Sequence, residues 1–117
     1  MTSLNDLFKD KPTKLWNQRM IDYGDDLFNE ERLFMCDKVL DDYLNNLLLL
    51  QPTKNQVKIM KAVEGIVIAI NELNDENDYF IETMEREELA EFIDKAARLT
   101  GLEIEDGQDI TEEWREW

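Results

Sequence analysis

From position 33 onward the chain sets apolar residues at alternating intervals of three and four: Leu33, Cys36, Leu40, Tyr43, Leu47 and Leu50. Residues three and four apart share one face of an α-helix, so the stripe predicts an amphipathic helix. Asn29 is a candidate N-cap, Glu30 and Glu31 fall in the first turn where the helix dipole favours acids, and Pro52 stops the element. Asp37, Asp41 and Asn45 line another face of the same helix. The rhythm returns at Ile59, Val63, Ile66, Ile70 and Leu73, behind Thr53 and Gln56 at capping-box spacing. Val67, Ile68 and Ala69 make the middle of this second helix apolar almost all round, which predicts a central position. Gly65 within it reads as a point of close helix packing, since Gly otherwise costs ~1 kcal/mol against Ala.

A third long helix is predicted over 83–100, with Leu89, Phe92, Ile93, Ala96 and Leu99 turned inward. Glu91–Lys95 and Asp94–Arg98 are i,i+4 pairs with the acid first, and Gly101 is the expected C′ residue. The ends are less regular. Residues 1–28 carry a short predicted helix after Pro12 and a turn around Gly24, and the tail 108–117 carries a last short turn capped by Asp109 or Thr111. The pattern predicts one all-α domain over 1–117, a compact helical bundle of three long helices plus short terminal helices. Only four Gly and two Pro leave little turn chemistry for an all-β alternative.

Charge changes this picture most. Against 13 Lys and Arg stand 28 Asp and Glu, a net charge of −15. Such a field repels nucleic acid and anionic membrane and attracts basic surfaces over roughly a Debye length, ~8 Å at physiological salt. One cysteine, Cys36, excludes an internal disulfide, and the runs LLLL and GIVIAI fall far short of the ~20 apolar residues of a membrane-spanning helix. MTSLNDLFKDK has no apolar signal-peptide stretch, so a cytoplasmic protein is expected.

Candidate chemistry is sparse. NDENDYFIETME, residues 74–85, sets Asn74, Glu76, Asp78 and Glu85 at the oxygen-ligand positions of a calcium loop. Tyr79 stands where that loop requires Gly, so a solvated interhelical loop is the better reading. The pairs Glu82/Glu85 and Glu91/Asp94 have magnesium-site spacing but lie on one segment, not on two facing helices. Glu64 sits among apolar neighbours with Lys61 one turn back, and a salt-bridged or partner-facing role suits it better than acid–base catalysis. The chain has no histidine to serve as a base, and Cys36 reads as a small buried hydrophobe. No enzyme, no cofactor and no metal are expected.

The run FIETMEREELAEFIDKAARLTGLE is similar to an Ile-Glu-Thr-x-x-Arg-Glu-x-x-Ala-Glu run, with a later Gly, in a bacterial family of small acidic proteins. This is the domain-of-unknown-function family numbered 5713, and the REW at 115–117 resembles its Arg-Asp-Trp ending. The helix from Phe34 to Leu50 matches more loosely, and residues 1–28 lie outside the resemblance. The family's middle helix often carries a histidine that this chain lacks. The resemblance implies an all-α fold and supplies no activity.

Small size, acidity and missing catalytic groups together point to an acidic binding protein that neutralises a basic protein partner, such as an immunity protein against a bacterial toxin. Asp37, Asp41, Glu85 and Glu88 are the surface acids expected to meet that partner. Trp114 and Trp117 are either folded back over the open end of the bundle or offered as interface anchors. The competing expectation is a self-associating structural or regulatory helical protein, a homodimer sharing the leucine-rich seam, with a metal-dependent enzyme the lesser alternative.

Overall fold

The computed structural model describes residues 3–23, 30–77, 79–105 and 107–117. Their secondary structure is helical throughout: α1 (Leu4–Leu7), α2 (Pro12–Tyr23), α3 (Glu30–Leu50), α4 (Gln56–Glu76) and α5 (Thr83–Thr100). The three long helices are those predicted, and the fold is all-α. The turn expected around Gly24 and the cap expected at Asn29 lie outside the described residues.

The α3 stripe is buried as its spacing requires, with Leu40, Tyr43, Leu44 and Leu47 almost fully enclosed. The Tyr43 hydroxyl donates to the Ile93 carbonyl at 2.8 Å, which ties α3 to α5 and gives the buried phenol a partner. Helix α5 ends in a Schellman motif: the amide of Leu102 donates to the Ala97 carbonyl, and that of Gly101 to Arg98. Gly101 takes the left-handed conformation this needs, at φ 111°, and the Lys54 side chain packs against it.

Helices α3 and α5 form the middle of the bundle, with α1 and α2 packed across both on one side and α4 across both on the other. Among the described residues α4 touches neither α1 nor α2, so the central place predicted for it is corrected. Its surplus apolar positions are partly covered by the C-terminal tail instead, while Val57 and Ile68 stay exposed. The start of α4 is also corrected. Asn55, not Thr53, is its N-cap, accepting from the Lys58 amide at 3.1 Å. Gln56 instead reaches the end of α5, donating to the Gly101 carbonyl and accepting from the Glu103 amide.

Gly65 does not mediate helix packing. It is exposed, and a Cβ built on it meets nothing within 4 Å. Gly65→Ala is therefore expected to stabilise the protein by about 0.5–1 kcal/mol, read as a higher urea midpoint at unchanged slope.

The N-terminal segment is more ordered than its sequence suggests. Ser3 and Asp6 form a reciprocal capping box at the start of α1, and Leu4, Leu7 and Trp16 belong to the core. A four-residue helix is too short to display a 3.6-residue period, which is why the pattern there is faint. The C-terminal tail forms a turn over 110–114, not a terminal helix, and Asp109 caps it through the Thr111 amide and hydroxyl.

Candidate functional site

Asp37 and Asp41 stand one turn apart on α3, and Lys11 reaches both, at 2.8 and 2.7 Å. The Thr13 hydroxyl adds a 2.7 Å bond to Asp37. Burial works against the Lys11 ammonium, but its hydrogen bonds to Asp37 and Asp41 outweigh that and raise its pKa. On α5, Glu85 and Glu88 share the guanidinium of Arg19, at 3.1 Å to Glu85, and the Trp16 indole donates to Glu88 at 3.2 Å. The carboxylates expected to meet a partner thus each have a cation of the chain itself, Lys11 just ahead of α2 or Arg19 on it, while Asp37 and Asp41 keep side-chain exposures of 42% and 38%. Glu85 is not a surface acid at all, being only 5% exposed.

The two members of the Arg19 pair respond differently. The hydrogen bond to Glu88 raises the Arg19 pKa, whereas burial outweighs the favourable contacts of Glu85 and raises its pKa as well. The charge of Arg19 is stabilised; that of Glu85 is maintained at a cost. An acid whose folded pKa is raised favours folding at low pH and loses that contribution as pH rises from its unfolded value of 4.5 through the folded one. The stability of Glu85→Gln relative to wild type is accordingly expected to improve as pH rises from 4.5 toward neutrality, measured by urea denaturation of both proteins. A difference that stays flat with pH contradicts this.

The tail folds back on α4. Asn71 donates to the Trp114 carbonyl at 2.8 Å and accepts from the Glu116 amide at 3.0 Å, so one carboxamide pins the strand of chain on both sides of Arg115. Trp117 is buried at 8% exposure, with its indole 3.5 Å from the Val67 carbonyl and the Arg115 guanidinium 5.5 Å above its ring. Of the two alternatives expected for it, Trp117 takes the folded-back one and covers α4, not the exposed anchor. Trp114 is only partly buried against the core.

Docking of the tail leaves a notch of about 600 Å³ between the C-terminal half of α4, the α4–α5 loop and the tail. Ile68, Tyr79 and Trp114 supply its apolar surface, and Glu72, Asp75 and Glu116 supply carboxylates. Ile68 is 40% exposed and Tyr79 67% exposed. Tyr79 holds a left-handed φ of 54°, and its hydroxyl donates to Asp75 at 2.6 Å, which raises the phenol pKa. Among the described residues no Lys or Arg pairs with Glu72, Asp75 or Glu116. Of the residues expected to meet a partner, only Trp114 belongs to this notch. Its other members were hidden because 74–85 invites a calcium reading and Ile68 looks like core.

That calcium reading fails on geometry. Asn74 and Glu76, the first and third ligand positions, are still within α4, and Asn74 Oδ1 accepts from the Ile81 amide at 2.9 Å. Asp78 lies outside the described residues. Among the described residues no three His, Cys, Asp or Glu are gathered to hold a metal ion. Of the magnesium-type pairs, Glu85 is engaged by Arg19 and Asp94 by Arg98. Glu64 is half-buried. Burial, aided by Asp37, pushes the Cys36 thiol up to about 12, so it is inert at neutral pH. A second opening of about 550 Å³, beside Phe8, Lys9, Lys14 and Phe34, carries lysines that oppose a basic ligand. Among the described residues no helix is long and apolar enough to cross a membrane.

No family model, curated protein or solved structure matches the chain. The functional reading therefore rests on its own residues.

Proposed function

We propose that this chain is a non-catalytic, cytoplasmic binding protein that neutralises a basic protein partner, in the manner of an immunity protein against a bacterial toxin. The observation that carries the reading is the notch at the end of α4, where among the described residues no Lys or Arg pairs with Glu72, Asp75 or Glu116, beside the exposed faces of Tyr79 and Ile68. A net charge of −15 steers a basic partner toward the molecule, and the aromatic surfaces slow its departure. The carboxylates on α3 and α5 do different work, anchoring α2.

Capture from a bacterial cell with the tagged full chain, eluted by salt steps, tests this. One stoichiometric basic protein is expected, released at high salt and lost with the double variant Asp75→Lys, Trp114→Ala. Recovery of the bait alone, or of a second copy of the chain as a stable dimer by light scattering, contradicts it.

A further inference from the structure

Asn74 lines the notch from α4 and is 5% exposed. Its Oδ1 is held by the Ile81 amide, which fixes the orientation of the carboxamide. Among the described residues its Nδ2 has no acceptor, yet no side-chain nitrogen or oxygen fully sealed from solvent lacks a partner. Nδ2 is thus the part of Asn74 that reaches the opening. It is a hydrogen-bond donor set among the carboxylates of Glu72, Asp75 and Glu116, so it calls for a ligand carbonyl and not for a cation.

We propose that the notch takes one arginine residue of a partner chain, its guanidinium against Glu72 and Asp75 and a neighbouring backbone carbonyl on Asn74 Nδ2. This deepens the reading of the chain as a binder of basic proteins and rests on it. Arginine suits the site better than lysine because its planar, weakly hydrated head stacks on aromatic faces and bridges carboxylates, whereas an ammonium is a compact, strongly hydrated charge. The chain uses the same contact internally. Arg32 lies 5.5 Å from the Phe80 ring centroid, and Arg115 lies 5.5 Å from that of Trp117. Asn71, whose carboxamide is already fixed at both ends by the tail, donates to the Trp114 carbonyl instead.

The test is an NMR titration of the isotope-labelled full chain with acetyl-arginine methylamide, which supplies a guanidinium and two flanking carbonyls. Saturable shifts are expected at the Asn74 carboxamide and the Trp114 indole. The neutral isostere acetyl-citrulline methylamide is expected to bind at least tenfold more weakly. Affinity is expected to fall about tenfold in the double variant Glu72→Gln, Asp75→Asn and to stay unchanged in Glu31→Gln, an exposed acid on α3. Non-saturating drift at acids over the whole surface overturns the assignment, as does equal binding of the citrulline or lysine analogue. A basic protein captured by the chain while the arginine probe leaves the notch unmoved removes this inference and spares the proposed function. A probe that fills the notch in a protein that captures no basic partner does the reverse.

Discussion

Arg19→Met is expected to destabilise the protein by about 2–4 kcal/mol, the cost of leaving buried carboxylates without their counter-charge. Arg19 is the only cation bonded to Glu85 among the described residues, and Glu85 cannot turn to solvent from its place on the inner face of α5. Met preserves most of the apolar stem and removes the guanidinium, so the loss reports charge more than packing. The range is set below the value for a fully enclosed pair because Glu88 and Arg19 keep about a fifth of their side-chain surface in water. Urea denaturation at neutral pH measures it. Lowering the pH toward the ordinary glutamate range should recover part of the loss, since protonation removes the orphaned charge. A loss below 1 kcal/mol would mean that water reaches Glu85 and Glu88 as readily as Arg19 does.

Trp16→Ala is expected to cost about 3–5 kcal/mol, as for large aromatic side chains removed from well-packed cores. Trp16 is fully buried and is the deepest contact that α2 makes. The substitution also takes a donor from Glu88, leaving that carboxylate to Arg19. Hydrogen exchange should show the loss concentrated in the amides of α2 rather than spread over α4. Because Arg19 and Trp16 share Glu88, the double variant should lose less than the sum of the two single losses. Additive losses would argue that α2 is held by independent contacts.

The long helices were legible because each repeats its period often enough for the stripe to stand out, as in the run from Leu33 to Leu50. The N-terminal segment was not, for Leu4, Leu7 and Trp16 are buried by tertiary contact with α3 and α5 and not by any period of their own. Gly65 shows the limit of reading a residue type: its presence in an apolar helix suggested a close approach, and only packing reveals the open space above it. The acids show a deeper limit. A carboxylate on a helix face looks the same in sequence whether it meets solvent, a partner or its own chain. Asp37, Asp41, Glu85 and Glu88 meet Lys11 and Arg19, more than 20 residues away. Trp114 and Trp117 divide the two roles foreseen for the tail: the second is buried, and the first borders the notch.

The proposed separation of two sets of carboxylates, one holding the fold and one meeting a partner, is tested by two double variants of equal net charge: Glu72→Gln with Asp75→Asn in the notch, and Asp37→Asn with Asp41→Asn beside α2. The single measurement is the affinity of each for acetyl-arginine methylamide at fixed salt. About a tenfold loss is expected in the notch variant and unchanged affinity in the other, the overall field being reduced equally in both. Equal losses, or a larger loss in the α3 variant, would contradict it.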